Sequence, residues 1–378
     1  MMALKMCLLL LGLILHLAAA ELNLELVQVI LRHGERTPRV KEMYPNDPHN
    51  VSAYEPWGTG QLTNQGKMTE YKIGKMLRAR YNEFLGEIYR PSDIHSVSTD
   101  VDRTKMSLQL VLAGLYPGNS LQTWNQNLPW MPVPTHSLPE KFDTLMKPHI
   151  SPKYLKALKE IRNSAEVRQK MAEHKSLFDY LSAKTGFNRI TSDEIYEIYN
   201  LLTAQKSMNL TLPEWCTDSV YKQMQEVVVL EYLVRSYTPE LKRLNGGTLI
   251  KRFLDNINRN AKQEKPRKIY LYSGHEVNIA SYTRAHNLSE PRLPAYGSAV
   301  LFEKLRDNTG KHFVRIVLWT GVTEELVTLK LANCDEICPM KNYLKIVKNI
   351  IPSEDEVYSF LNNLSKEDIK NLYEQALS

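Results

Sequence analysis

Within seven residues, Arg32-His33-Gly34-Glu35-Arg36-Thr37-Pro38, this chain sets one imidazole between two guanidiniums. Each guanidinium is a planar fork of N–H donors that suits the oxygens of a phosphate. An imidazole in that setting can attack phosphorus, move a proton or serve as a further phosphate ligand. A histidine beside a single arginine is more often a satisfied structural residue. Two arginines packed around the same ring repel each other unless an anion lies between them, so the spacing favours an anion site.

Such a group must be delivered by something rigid. The run Leu26-Val27-Gln28-Val29-Ile30-Leu31 is short, rich in branched apolar residues and closed by Gly34 and Pro38, which predicts a buried strand ending at the motif. In open α/β sheets, ligands bind beyond the C-terminal ends of strands. From 61 to 85 the periodicity turns helical, with Asn64 as a start and Met68, Tyr71, Met76, Leu77 and Tyr81 near one face. Residues 94–98 read as a second strand, and Ser98, Thr99 and Asp100 offer caps for a helix through Met106, Leu110 and Leu115. Arg103 falls in the first turn of that helix, where free N–H groups and the positive dipole end already favour an anion. Residues 268–273 repeat the opening device, a β-rich run ending at Gly274-His275-Glu276.

These stretches identify the family that the chain resembles. Residues 32–38 match the Arg-His-Gly-x-Arg-x-Pro signature of the histidine acid phosphatases, in the phosphoglycerate-mutase-like superfamily. Residues 98–104 and 272–276 fit the same family in its order and approximate spacing. The resemblance spans nearly all the mature chain and is nearest to secreted acid phosphatases of insects, including those of venoms. It implies an α/β fold with a doubly wound, mainly parallel sheet, flanking helices and a helical insertion. It also implies phosphate monoester hydrolysis with His33 as nucleophile, Arg32, Arg36, Arg103 and His275 on the phosphoryl oxygens, and no metal or cofactor. Most members place Asp after the second histidine as proton donor, whereas this chain carries Glu276. Alternative readings are a phytase or inositol-polyphosphate phosphatase of the same fold, whose pocket should be more basic, and a catalytically weak secreted phosphate-binding protein or allergen.

The remaining features set the context. Of 378 residues, 1–20 have the form of a secretory leader: Lys5, an apolar run, then Ala18-Ala19-Ala20. That favours secretion, leaves lysosomal retention open and, with no later apolar run long enough to span a bilayer, gives no membrane anchor. The formal charge of +6 comes from scattered residues of both signs, which is not a nucleic-acid footprint. The resemblance implies small phosphate monoesters as partners, with a homodimer open. Cys7 leaves with the leader; of the rest, Cys334 and Cys338 should pair across a short polar loop, as similar close-spaced cysteines do in the family, and Cys216 should be free and buried. A zinc site would need more ligands than that pair. Sequons at Asn50, Asn209, Asn287 and Asn363 predict surface glycan sites. Domain organisation reads as an α/β body from 21–150 and 264–352, a helical insertion from 151–263 and a polar tail from 353–378. Within it, 117–152 should be irregular, Gly246-Gly247 a helix stop, and 298–305 with 314–319 a hairpin at a sheet edge.

Overall fold

The computed structural model describes residues 22–118 and 121–358, together with 361, 365 and 367. The leader, Asn363 and most of the polar tail lie outside the described residues. In chain order the first half runs β1 (Leu22–Arg32), α1 (Asn64–Leu85), β2 (Ile94–Thr99), α2 (Asp102–Leu115) and β3 (His136–Leu138). Helices α3 (Pro152–Arg162), α4 (Ala165–Ala172), α5 (Lys175–Thr185), α6 (Ser192–Ser207), α7 (Asp218–Val234), α8 (Pro239–Leu244) and α9 (Gly247–Asn260) follow. The last part is β4 (Ile269–Gly274), α10 (Glu276–Ala285), β5 (Ala299–Asp307), β6 (His312–Trp319), β7 (Leu326–Leu329), β8 (Cys338–Pro339), α11 (Met340–Val347) and α12 (Glu354–Tyr358).

The strands form one sheet in the order β3-β2-β4-β1-β5-β6-β7, with β8 beside β6. β1 to β4 run parallel to one another, and β6, two antiparallel steps from β1, shares their direction. The sheet is thus mostly parallel and centred on β1, whose residues from Val27 to Leu31 are almost fully buried. α1 and α2 cover one face over Val27, Val29 and Leu31, while α9, α10 and α11 cover the other over Ile30, Tyr272 and Phe302. Helices on both faces make the fold doubly wound.

Local chemistry explains where these elements depart from expectation. α1 is capped by Thr63, whose hydroxyl accepts from the Gly66 N–H at 3.2 Å. Its inward stripe is Ile73, Leu77, Tyr81 and Leu85, with Met68 turned to solvent. The cause is the close crossing of α1 and α2: a Cβ on Gly74 would lie 2.1 Å from the Val111 carbonyl oxygen, and one on Gly114 2.4 Å from that of Tyr71. α2 begins from Val101 without a side-chain cap, because the Thr99 hydroxyl is engaged with Thr104 and His275 and Asp100 pairs with Lys105. The described residues of 117–152 are mainly irregular but contain β3, which adds to β2 at the sheet edge. The expected 298–319 hairpin is interior, since the four-residue β7 pairs outside β6. Gly246-Gly247 opens α9 instead of ending a helix. A Cβ on Gly247 would come within 2.0 Å of the Ile350 carbonyl oxygen, which is why a glycine sits there. α9 itself lies within 151–263 yet packs on the sheet through Leu249, Ile250 and Phe253.

Helices α3 to α8 carry apolar clusters of their own, built on Leu177, Leu181, Ile195, Leu201 and Val227 in one and Tyr154, Val167, Val234 and Leu241 in another. Cys334 and Cys338 form a disulfide with Cα atoms 5.2 Å apart, which displaces the zinc alternative. Cys216 is free but only half-buried, and burial pushes its thiol up to about 11. Asn50, Asn209 and Asn287 are exposed. Among the described residues, no helix is long and apolar enough to cross a membrane.

Candidate active site

The C-terminal ends of β1 and β4 are neighbours, so their loops open side by side. The His33 N–H donates to the Gly274 carbonyl oxygen at 3.1 Å, stitching the two histidine loops together. Gly34 allows a further close approach: a Cβ there would lie 2.3 Å from the Gly66 carbonyl oxygen, so the motif is pressed against the first turn of α1. His33 is 1% exposed. Its Nδ1 is 2.8 Å from the Gly34 carbonyl oxygen, which can only accept; Nδ1 therefore carries the hydrogen and Nε2 keeps its lone pair. Burial, then Arg103 and Arg32, hold the ring well below the ordinary histidine pKa, so it stays neutral in acid.

Three arginines surround this ring. Arg36 grips Glu42 with both terminal nitrogens, at 2.7 and 2.5 Å, and Glu42 also accepts from Arg39. Burial opposes the charge of Arg36, but Glu42 keeps its pKa above the ordinary value. Arg32 donates from Nη1 to the Pro294 carbonyl oxygen at 2.6 Å and lies over the Tyr296 ring at 4.1 Å. Arg103, at the start of α2, points Nη2 at His275 Nδ1, 3.5 Å away. Burial, then Arg36 and Arg39, push Arg103 down to about 10. Arg32, Arg36 and Arg103 each retain a buried Nε–H with no hydrogen-bond partner among the described residues. Buried donors of this kind are costly unless they serve a ligand.

His275 and Glu276 arrive together at the start of α10. Asn278 orients the turn: its side-chain oxygen accepts from the His275 N–H at 2.9 Å and its amide donates to the Met146 carbonyl oxygen at 2.8 Å. The Thr104 hydroxyl donates to a backbone carbonyl, so the Thr99 hydroxyl gives its hydrogen to Thr104 and accepts from His275 Nε2–H at 3.1 Å. That leaves His275 Nδ1 toward Arg103. Glu276 hangs between two partners, accepting from Tyr196 at Oε1 (2.5 Å) and lying 3.4 Å from Arg32 Nε through Oε2. Burial opposes its ionisation, yet the Arg32 guanidinium, helped by the Tyr196 hydrogen bond, holds the carboxyl well below the usual range. The free site therefore carries Glu276 as a carboxylate.

His33, Arg36, Arg103, His275 and Glu276 all line a cavity of about 560 Å³, whose other walls include residues of α3, α6 and the end of α7. Arg32 stands behind it, against Glu276. All six residues singled out from the sequence converge here. Sequence reasoning passed over Glu42, Tyr196, Thr99, Tyr296 and Asn278, which hold those six in place; polar residues at ordinary spacing carry no local signal of such contacts.

Comparison with known proteins identifies the family of the chain. Residues 23–318 match the model of the histidine phosphatase superfamily, branch 2. The chain is 40% identical to the venom acid phosphatase of Apis mellifera over 363 residues, covering 92% of each chain. It is 32% identical to the prostatic acid phosphatase of Rattus norvegicus over 338 residues, covering 88% of each. Among solved structures, the Hafnia alvei phytase in complex with myo-inositol hexakis sulphate shares the fold with a TM-score of 0.69 at 16% identity, over 89% of this chain and 98% of that one. The chain belongs to the histidine phosphatase superfamily, branch 2.

Proposed function

We propose that this protein is a secreted acid phosphatase that hydrolyses phosphate monoesters through a phosphohistidine on His33. The observation that carries the reading is the pairing of a neutral His33, its Nδ1–H tied back to Gly34, with three arginine Nε–H groups that make no hydrogen bond among the described residues. A phosphoryl group in the cavity takes those donors on its oxygens. Their charge offsets the repulsion that keeps nucleophiles from a phosphate ester, and their fixed positions stabilise the charge of the transition state. The resident carboxylate, Glu276, then changes role. An anion beside it raises its proton affinity, so in mildly acidic solution the complex holds Glu276 protonated although the free site does not.

In the first step His33 Nε2 bonds to phosphorus as the ester P–O bond breaks, and the leaving oxygen takes the Glu276 proton. In the second step Glu276, now a carboxylate, takes a proton from water as the water oxygen attacks phosphorus. The P–N bond breaks, and inorganic phosphate and free His33 result. Burial, then Arg103, hold His275 well below the ordinary histidine pKa in the free site; the charge of the bound anion opposes this, and with Thr99 holding its Nε2–H the ring donates from Nδ1 only in the complex.

A second reading, an inositol-polyphosphate phosphatase, is tested by the cavity rim. Arg39 and Lys41 both pair with Glu197, Arg162 pairs with Asp193 and Glu231, and Lys147 lies near Glu140. Cations already matched by carboxylates favour a simple monoester over a substrate with six phosphates. Release of phosphate from p-nitrophenyl phosphate at pH 5, with inositol hexakisphosphate in parallel, tests the choice. Faster turnover of the simple ester is expected; the reverse preference overturns the monoester reading, and no turnover of either overturns the enzyme. The leader and the exposed Asn50, Asn209 and Asn287 support export as a glycoprotein, read out by a mass decrease on enzymatic deglycosylation of the secreted protein.

A further inference from the structure

We propose that Tyr196, from the helical insertion, is the positioning residue of the general acid: its hydroxyl fixes Glu276 so that the second carboxyl oxygen meets the leaving group. The inference rests on the reading of Glu276 as proton donor. A glutamate has one more rotatable bond than an aspartate, and an acid acts well only if its carboxyl is held within hydrogen-bond reach of the leaving oxygen. Glu276 starts from the first residue of α10, so its backbone is fixed while its long side chain is not.

The hydrogen bond from Tyr196 Oη to Glu276 Oε1 is 2.5 Å, and a carboxylate can only accept, so the tyrosine donates. Tyr196 has little freedom to do otherwise. It projects from the second turn of the four-turn α6, the Arg235 guanidinium lies 4.6 Å from its ring centroid, and Tyr232 meets it edge-on at 6.1 Å. Arg235 is in turn 3.6 Å from Glu231, one turn earlier. The ring is clamped by α7, and the clamp ends at Oε1. Oε2 has the looser partner, Arg32 Nε at 3.4 Å without hydrogen-bond alignment. The two oxygens are thereby given different tasks. Oε1 is committed to Tyr196 in both protonation states, since a neutral carboxyl still accepts through its carbonyl oxygen. Oε2 is the oxygen that carries and delivers the proton, and when it does so Arg32 Nε is released to the phosphoryl group. The insertion therefore completes the acid as well as lining the cavity.

The test compares kcat/KM for p-nitrophenyl phosphate, whose phenolate hardly needs a proton, with that for a simple alkyl phosphate, whose alkoxide does. Tyr196→Phe is expected to raise the ratio of the two by up to roughly 10-fold, the upper end of what one hydrogen bond to a neutral carboxyl is worth. Glu276→Gln is expected to raise it further, by ~10²-fold or more. In the Glu276→Gln background Tyr196→Phe should then change the ratio by less than about 2-fold, because there is no acid left to position. Glu276→Asp draws the carboxyl back by about one C–C bond, ~1.5 Å, so it reads the same contact without touching the tyrosine and should also raise the ratio. If Tyr196→Phe does not fold, Glu276→Asp decides. A Tyr196→Phe or Glu276→Asp enzyme with an unchanged ratio, while Glu276→Gln still splits the substrates, overturns the positioning role and leaves the acid in place. A Glu276→Gln enzyme that does not split them overturns both.

Discussion

Gly66→Ala perturbs the site through the backbone, without touching any residue that binds substrate. A Cβ at position 66 would lie 2.0 Å from the Glu35 carbonyl oxygen, where real Cβ contacts do not fall below 3.0 Å. The Glu35 carbonyl, midway between His33 and Arg36, must retreat by about 1 Å, or α1 must withdraw by as much. The loop cannot yield freely, because that oxygen accepts from the Thr63 N–H at 3.0 Å and its neighbours hold Gly274 and Glu42. Misplacement of reacting groups by about 1 Å costs on the order of 10²-fold. Overpacking of this kind also costs ~1–3 kcal/mol of stability. The expected result is kcat/KM for p-nitrophenyl phosphate lower by ~10²-fold. Gly86→Ala is the control, since Gly86 has φ +73° at the far end of α1 with open space around it; strain there should cost stability without comparable loss of catalysis. Thermal melts of both variants separate the two effects. If Gly66→Ala keeps kcat/KM within about 3-fold of wild type while the first turn of α1 still packs on Gly34, the claim that loop geometry sets the rate is wrong.

Further outcomes follow from the same contacts. Arg36→Lys and Arg103→Lys each impair kcat/KM severely despite conserving charge, since an ammonium lacks the planar fork; near-normal kinetics would reassign that residue to a structural ion pair. Glu42→Gln leaves Arg36 and Arg39 without their shared buried carboxylate and should destabilise by ~3–5 kcal/mol in urea titrations, with a parallel fall in kcat/KM. His286 is buried against Tyr282 and Tyr343, and burial lowers it to about 4 against an ordinary 6.5. A folded-state pKa below the unfolded value means that the unfolded chain alone takes up this proton, so stability is lost as pH falls from about 6.5 toward 4. His286→Gln should flatten that slope in melts taken between pH 7 and pH 4, and an unchanged slope would refute the assignment.

What was legible in the sequence was short-range. A β-rich run ending in a charged loop, seen twice, placed His33 and His275 at strand ends, and the first turn of α2 held Arg103 as its periodicity required. Position in the sheet was not legible. β4 lies between β1 and β2 although some 170 residues separate it from β2, and that placement, set by helices on both faces, puts His275 beside His33. Very short strands such as β3 and β7 have too few residues to show a period. The electrostatics of Glu276 depended on which cation lay beside it. Burial alone would keep the carboxyl protonated, and Arg32 at 3.4 Å reverses the sign. Glu42 shows the same limit: its place six residues after Arg36 says nothing of the bidentate pair that fixes the arginine.

Covalent capture of the intermediate tests the central claim most directly. Enzyme mixed with a ³²P-labelled monoester at pH 5 and quenched within milliseconds into alkali, where phosphohistidine survives, should carry label that peptide mapping places on His33. The His33→Ala protein, folded by circular dichroism, should carry none and show no turnover. Label on a serine or aspartate, or brisk turnover with no label at any quench time, would contradict the account.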